Sequence, residues 1–251
     1  MKYDERLAQS LVASDRPSVV RFYGWDPPAI SLGWHQDIGE IDLEKCAEAG
    51  IDVVRRPTGG RAILHSDEVT YSVVLVASQK SVLSVYQDVS EALVDGLRAL
   101  GADVALEKSQ PHFPSLYRSS SAVACFASAA RYEIHVAGRK LVGSAQRRFA
   151  RRNGEEVVLQ HGSILLGPDH LRIVDFLKAL DDDQRLELKR ELQGKTTDLA
   201  TALGRRVERE EVILTLKRGF EQMWSIEFSA SGIAEAEEDF SVEESGGSER
   251  R

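Results

Sequence analysis

Residues 53–74 of this 251-residue chain read V-V-R-R-P-T-G-G-R-A-I-L-H-S-D-E-V-T-Y-S-V-V, an arginine-flanked turn followed by an alternating strand. The adjacent glycines after Pro57-Thr58 permit positive φ angles and leave backbone N–H groups open to a bound molecule. Arg56 and Arg61 flank the turn with fixed positive charge, which suits an anion, a carbonyl or a phosphate. A hairpin with solvated arginines is the alternative, because glycine turns are common. The rest of the sequence must decide between them.

The composition favours one catalytic domain that does not bind nucleic acid. A chain of this length with 42% hydrophobic residues can bury a full core. Its formal net charge of −8 argues against a nucleic-acid binder, which needs a large basic face. Cys46 and Cys125 are far apart and form no C-x-x-C motif, so neither a disulfide framework nor a zinc knuckle is expected.

The sequence also predicts a soluble, cytoplasmic protein. Its start, M-K-Y-D-E-R-L-A-Q-S, has acids where a signal peptide needs an apolar segment. No run approaches the roughly 18 apolar residues of a membrane-spanning helix. We therefore expect the reducing cytoplasm and no membrane partner.

Apolar periodicity predicts strands in the first two-thirds of the chain and helices after Pro168. We expect an early hairpin from strands 19–24 and 29–33, and a second glycine hairpin joined by residues 137–140. Pro111, Pro114 and a serine run predict a mobile loop over 103–120. We assign the catalytic domain to residues 1–228 and an acidic, disordered tail to 229–251. The predicted helices are 3–13, 42–49, 84–100, 170–180, 184–192, 198–203 and 208–224, and the other strands are 51–55, 69–75 and 157–166.

Two residues are candidates for covalent chemistry. Cys125 lies in A-V-A-C-F, where a thiol is either a packed core residue or a nucleophile. A nearby cation would favour its thiolate, and the hairpin with Arg139 and Lys140 could supply one. Lys140 has an equally simple interpretation as a solvated turn lysine. Cys46, inside a predicted helix, is interpreted as structural.

A locally basic segment stands out in this acidic chain. Between Arg139 and Arg152 there are six basic residues and no acid. Such a face would suit an acidic protein partner, through steering and orientation. A charged hairpin without a partner is the alternative. The candidate partner-binding residues are Arg139, Arg147, Arg148, Arg151 and Arg152.

Metal and nucleotide sites find little support. His65 and His161 each follow apolar strand residues, but neither has the spacing of a metal-ligand motif. No Walker-type loop and no G-x-G-x-x-G after a strand occurs. The segments G-S-A-Q and H-G-S-I offer small residues and backbone donors suited to a narrow pocket, or simply to tight packing between strands.

Four segments taken in order carry a resemblance to a known family. They are R-R-P-T-G-G-R-A-I-L-H, A-C-F followed by Y-E-I, G-R-K-L-V-G-S-A-Q, and L-Q-H-G-S-I. The chain resembles the lipoate–protein ligase and lipoyl/octanoyl transferase family over about residues 1–226, and within it the cysteine-dependent octanoyltransferases of Gram-positive type. The resemblance implies the class II aminoacyl-tRNA-synthetase-like biotin/lipoate ligase fold. This is an α/β (α+β) fold with a large mixed or antiparallel sheet, a smaller sheet and flanking helices.

The resemblance also implies roles for individual residues. Cys125 would be the acyl-accepting nucleophile, and Lys140 would contact the acyl carbonyl. The remaining implied residues line the acyl pocket. They are Arg56, Gly59, Gly60, Arg61, His65, Gly143, Ser144, Ala145, Gln146, His161, Gly162 and Ser163.

The implied reaction is ping-pong acyl transfer. An octanoyl thioester on acyl carrier protein would acylate Cys125, and a lipoyl-domain lysine would then attack the new thioester. The acceptor would be the glycine cleavage H protein or a 2-oxoacid dehydrogenase E2 component. Thioester exchange is nearly isoenergetic, so a thiolate and an oxyanion donor suffice, and no ATP, metal or other cofactor is expected.

Two alternative functions can be distinguished from octanoyl transfer. An ATP-dependent lipoate–protein ligase shares the fold and the lysine, but ligases more often read G-G-G where this chain has Gly59-Gly60-Arg61, and they commonly carry a C-terminal accessory domain. A non-catalytic protein that binds acyl groups or lipoyl domains would bind without turnover and tolerate loss of Lys140.

The resemblance has two departures. The family usually carries a strand before its first helix, whereas this sequence begins inside that helix, so either the start is misassigned or the strand is lost. The segment after Cys125, F-A-S-A-A-R, lacks the proline often found there.

Overall fold

The computed structural model describes residues 1–77, 79–107, 133–178 and 180–229. Cys125, most of the predicted loop 103–120 and the predicted tail after Ser229 lie outside these residues. The described helices are α1 (Lys2–Ala13), α2 (Leu43–Glu48), α3 (Val82–Ala99), α4 (Asp182–Lys195), α5 (Leu199–Leu203) and α6 (Arg209–Trp224), with 3₁₀ helices at Ile38–Glu40 and Pro168–Phe176. The strands are β1 (Val19–Tyr23), β2 (Ala29–Leu32), β3 (Asp52–Arg55), β4 (Ile63–His65), β5 (Glu68–Val76), β6 (Val104–Leu106), β7 (Ile134–Val136), β8 (Arg139–Ala150) and β9 (Glu156–Leu165).

The described strands form a large antiparallel sheet and a small mixed one, as the fold class predicted. The large sheet has the order β1-β5-β9-β8-β7-β6, and its central strands β5, β9 and β8 pair over most of their length. The small sheet has the order β3-β2-β4, with β2 parallel to β3 and antiparallel to β4. Among the described residues, no helix has both the length and the apolar character needed to cross a membrane.

The predicted early hairpin is wrong, because its two strands belong to different sheets. β1 pairs with β5, whereas β2 pairs with β3 and β4. Pro27 and Pro28 lie between the strands, and without N–H groups they cannot continue a ladder. All four residues of β2 are buried, which fits a strand flanked on both edges rather than one arm of a hairpin.

The second hairpin is confirmed, but its turn is shorter than predicted. Ala137 and Gly138 both have positive φ, 48° and 76°, which is the type I′ geometry that joins strands through two residues. Arg139 and Lys140 therefore open β8 instead of forming the turn.

The short strand β6 replaces the start of the predicted loop 103–120, because it pairs with the edge of β7. Three residues are too few to show an alternating pattern.

Helices α3 and α6 cross at glycines. α3 begins at Val82 rather than Ser84, because the Ser81 hydroxyl caps it by accepting the Ser84 N–H at 3.1 Å. A Cβ at Gly96 of α3 would lie 2.7 Å from Leu216 Cα, and one at Gly219 of α6 would lie 2.4 Å from the Ala92 carbonyl oxygen. The backbones touch directly, which packs both helices on the core face of the large sheet.

We expect Gly96→Ala to destabilise the fold by about 1–3 kcal/mol, because the added methyl forces the helices apart. Gly194→Ala is the control, since a Cβ there meets no atom within 4 Å and alanine favours a helix by up to about 1 kcal/mol. Urea unfolding of both variants checks this. Equal stability for the two variants would contradict direct contact between the backbones of α3 and α6.

Candidate functional site

A cavity that is partly open to solvent lies between the glycine turn and the paired strands β8 and β9. It unites three of the segments singled out in the sequence. The predicted residues that line it are Arg56, Gly60, His65, Gly143, Ser144, Ala145, His161, Gly162 and Ser163. Met1, Ile63 and Thr70 also line it and were not predicted, whereas Gly59, Arg61 and Gln146 are not among its lining residues.

Arg56 braces the glycine turn. Its Nε donates to the Gly59 carbonyl at 3.1 Å, and its Nη2 donates to the carbonyls of Gly59 and Arg61 at 2.9 and 2.6 Å. Its Nη1 donates to the carbonyl and hydroxyl oxygens of Ser31 at 2.8 and 3.1 Å. A guanidinium has five N–H donors, and these five bonds use all of them. The N–H donors of Arg56 therefore meet oxygens of the protein itself, and its positive charge remains beside the cavity.

Close backbone contact also fixes the turn from the side of β2. Gly60 adopts φ +94°, and a Cβ at Gly33 would lie 1.9 Å from the Gly60 carbonyl oxygen. The Trp34 N–H donates to the Thr58 carbonyl at 2.9 Å. Arg55 Nη1 holds the same loop by donating to the carbonyls of Gly33 and Gln36, at 2.7 Å each. Gly33 was missed in the sequence because its partner lies 27 positions away.

A polar network around the buried carboxylate of Glu68 supports one wall of the cavity. Thr70 donates its hydroxyl to Glu68 Oε1 at 2.5 Å, and Ser163 donates to Oε2. His65 Nδ1 lies 3.4 Å from Oε1, and its Nε2 lies 2.8 Å from the Ser31 hydroxyl. The Trp25 ring stacks on His65 with centroids 4.5 Å apart. The polar atoms of this wall are thus largely used within the protein.

A tyrosine from the core supports the opposite wall. A Cβ at Gly162 would lie 2.6 Å from Tyr71 Cε1, so only glycine leaves room for the ring to pass under β9. Tyr71 then donates to the Ser144 hydroxyl at 2.6 Å, and burial raises the pKa of Tyr71 to about 12. Gln146 donates to Gln160, which donates to Tyr71. This chain of bonds explains why Gln146 turns away from the cavity.

His161 contributes a neutral ring to the cavity. Its Nε2 lies 2.6 Å from the Thr58 hydroxyl, and burial lowers the pKa of His161 to about 3. Among the described residues, its Nδ1 finds no hydrogen-bond partner. A neutral imidazole adds no charge, so His161 does not attract an anion to the cavity.

Lys140 lies outside the cavity lining but on the same strand. It precedes Gly143 by three residues, about 10 Å along a strand. Its Nζ lies 2.6 Å from Glu133 Oε1, and both side chains are almost completely buried. The interpretation of Lys140 as a solvated turn residue is therefore wrong.

The basic residues between Arg139 and Arg152, on β8 and just after it, do not form one face. Arg147 and Arg148 project to opposite sides, because neighbouring residues alternate along a strand. Arg147 stacks over the Trp34 ring at 4.8 Å and lies 3.5 Å from Glu5. Arg148 pairs with Glu156 at 2.5 Å, and Arg151 pairs with Asp15 and Glu155 at 2.6 and 3.0 Å. Arg139 is half-buried and Arg152 is exposed.

The structure describes Cys46 but not Cys125. Cys46 is buried in α2, and burial raises the pKa of its thiol, which fits the predicted structural role. Cys125 lies outside the described residues, so its role as a nucleophile stays a prediction.

We expect Gly60→Ala to lower stability by about 1–3 kcal/mol, because an L side chain is strained at positive φ. Gly59→Ala is the matched control, since a Cβ there meets no atom within 4 Å and the change should stay within about 0.5 kcal/mol. Thermal unfolding measures both. If Gly60→Ala and Gly59→Ala lose the same stability, the positive φ of Gly60 does not require glycine.

The buried His161 also predicts acid sensitivity. Its unfolded pKa is about 6.5 and its folded pKa is about 3, so only the unfolded chain takes up the proton between these values. Its contribution to stability is complete above pH 6.5 and is lost as the pH falls towards 3, by about 1 kcal/mol for each pH unit. His170, whose pKa burial lowers to about 4, acts in the same direction.

Urea unfolding at pH 7 and pH 5 tests this sensitivity. We expect His161→Gln to reduce the loss of stability between the two pH values, whereas His35→Gln, at an exposed position, should leave it unchanged. If His161→Gln loses as much stability between pH 7 and pH 5 as the wild type, the acid sensitivity does not come from His161.

Comparison with known proteins places these features in a family. The sequence model of the lipoyl protein ligase A/B catalytic domain matches residues 1–221. The chain is 41% identical to octanoyltransferase LipM of Kyrpidia tusciae over 88% of this chain and 80% of that protein. It is 35% identical to octanoyltransferase LipM of Bacillus subtilis (strain 168), over 96% and 87%.

Solved structures show the same fold. A bi-partite lipoate protein ligase from Thermoplasma acidophilum superposes with a TM-score of 0.75 at 24% identity, covering 96% of this chain and 84% of that one. Lipoate-protein ligase A bound with ATP superposes with a TM-score of 0.74, also at 24% identity, covering 96% and 86%. The predicted resemblance and fold are confirmed, and the chain belongs to the lipoyl protein ligase A/B catalytic domain family.

Proposed function

We propose that this protein is an octanoyltransferase of lipoate biosynthesis, which moves an octanoyl group from acyl carrier protein to the lysine of a lipoyl domain. The observation that carries the proposal is its likeness to several enzymes named octanoyltransferase LipM, at 35–41% identity over 88–96% of the chain. These relatives favour an acyltransferase over a protein that only binds.

The cavity supports an apolar acyl ligand. Gly60, Ile63, Gly143 and Ala145 present carbon atoms and backbone, and the imidazole of His161 is neutral. Burying an acyl chain contributes about 0.8 kcal/mol for each methylene. Because the five N–H donors of Arg56 bond to oxygens of the protein, Arg56 contributes the shape of the turn and a positive charge beside the cavity, but no hydrogen bond to the ligand.

In the proposed reaction, the Cys125 thiolate attacks the thioester carbonyl of octanoyl-acyl carrier protein. The new C–S bond forms as the carrier thiolate leaves and takes up a proton. The lipoyl-domain lysine amine then attacks the acyl-enzyme, a C–N bond forms, the Cys125 thiolate leaves, and the amine loses a proton. The ammonium of Lys140 stabilises negative charge on the carbonyl oxygen. The acyl group arrives already activated, so the proposal needs no ATP or metal.

Both protein substrates would meet the arginines around the site. Arg152 is exposed and Arg139 half-exposed, whereas Arg147, Arg148 and Arg151 pair with acids of this chain. We assign steering of acidic carriers to the first two and exchangeable contacts to the paired ones. We place the protein in the cytoplasm, as its two distant cysteines suggest.

An ATP-dependent ligase is the less favoured function. The likeness to ligases is at 24% identity and extends to the fold, whereas the relatives at higher identity are named octanoyltransferases. Arg61 in place of a third glycine agrees with the transferase.

We expect the wild-type protein, incubated with octanoyl-acyl carrier protein and no ATP, to gain the mass of one octanoyl group. Cys125→Ala should gain none and lose transfer to an apo lipoyl domain by at least about 100-fold, because the covalent route is closed. Cys46→Ala is the matched control and should be acylated like the wild type.

Intact mass spectrometry and a lipoyl-domain gel shift measure the two outcomes. Transfer by Cys125→Ala at the wild-type rate would exclude the thioester mechanism. Transfer that appears only with ATP and free acid would make the protein a ligase.

A further inference from the structure

We propose that Glu133 is a positioning residue for acyl transfer, which acts by holding the ammonium of Lys140 in place. This proposal rests on the function proposed above. Glu133 Oε1 lies 2.6 Å from Lys140 Nζ, and the two side chains are 3% and 4% exposed.

The energetics of such a pair point to a purpose other than stability. Removing a carboxylate and an ammonium from water is costly for each ion, and their mutual attraction only roughly offsets that cost. Two packed apolar side chains of the same volume would stabilise the fold at least as well. What the pair supplies is a cation at a fixed position, which matters when a reaction develops negative charge.

The local backbone brings the two charges together. Ile134 pairs with Val142 and His135 pairs with Lys140, so Leu141 is an extra residue on β8. This bulge lets the consecutive residues Leu141 and Val142 both enter the same core. The side chain of Lys140 lies outside that core and meets Glu133.

Both backbones are held independently of the ion pair. The Thr197 N–H donates to the Lys140 carbonyl at 2.9 Å, and the Glu107 N–H donates to the Glu133 carbonyl at 2.8 Å. The carboxylate therefore has a fixed base from which it orients the ammonium. Loss of its charge should move the ammonium without moving either strand.

The same strand links this pair to the cavity. Gly143, Ser144 and Ala145 line the cavity and follow Lys140 on β8. A displacement of about 1 Å at a reacting group can cost 100-fold in rate. The carboxylate of Glu133 thus acts on the reaction through Lys140, and it requires no contact with the acyl group.

Glu133→Gln keeps the size of the side chain and removes its charge. We expect kcat for octanoyl transfer to fall about 10- to 100-fold, with KM for octanoyl-acyl carrier protein within about twofold. Glu133→Asp, which keeps the charge on a shorter side chain, should recover part of kcat. Glu210→Gln is the control, because Glu210 is exposed on α6 and its loss should leave kcat unchanged.

A double-mutant cycle separates positioning from a structural effect. In the Lys140→Ala background, adding Glu133→Gln should lower the residual rate less than twofold, because the group through which it acts is gone. If Glu133→Gln does not fold, the same cycle is measured with Glu133→Asp.

The outcomes for the two proposals are distinct. A wild-type protein that transfers no octanoyl group overturns the proposed function. An active wild type whose Glu133→Gln variant keeps its kcat, or whose Glu133 substitution costs as much with Lys140→Ala as without it, overturns the positioning role alone.

Discussion

The site depends on the hydrogen bonds that the guanidinium of Arg56 makes. This group joins Ser31 of the small sheet to the Gly59 and Arg61 carbonyls, and so closes the turn that bounds the cavity. Five oxygen contacts need five N–H groups in a planar fork, whereas lysine offers three donors on one atom. A sequence with lysine here could keep the charge but not the shape of the turn.

The walls of the cavity present few unpaired polar groups to a ligand. Thr70 and Ser163 each donate to Glu68, and Tyr71 donates to Ser144. These contacts direct polar groups of the walls into the protein. An acyl chain can then enter without leaving those groups unsatisfied, which would cost about 1–3 kcal/mol each. The small residues of β8 and β9 provide the width.

Local patterns predicted much of the site. Gly60, Gly143 and Gly162 belong to short motifs whose composition already indicates a narrow, backbone-lined pocket. Arg56 lies at the cavity as expected, but sequence alone cannot say which oxygen atoms its donors meet. Gln146 was misplaced because its partner, Gln160, lies on the neighbouring strand.

Contacts distant in sequence account for what the sequence could not reveal. A run of arginines without acids indicates a basic face, yet Glu5, Asp15 and Glu156 reach it from other elements or across the hairpin. The early hairpin failed in the same way, because the partner of β1 is β5, about 50 residues further on. Periodicity identifies a strand, but pairing depends on which surfaces need cover.

Strand β8 explains how one element can serve both binding and chemistry. Its alternation and its bulge fix Lys140 and the cavity residues at a set separation, about 10 Å from Lys140 to Gly143. A loop would let that separation vary, whereas a strand paired on both sides does not. Under the proposed function, the carbonyl of the acyl group lies towards Lys140 and its tail lies in the cavity. The hydrogen bonds between β8 and its neighbouring strands then fix the distance that the acyl chain must span from Lys140 to the cavity.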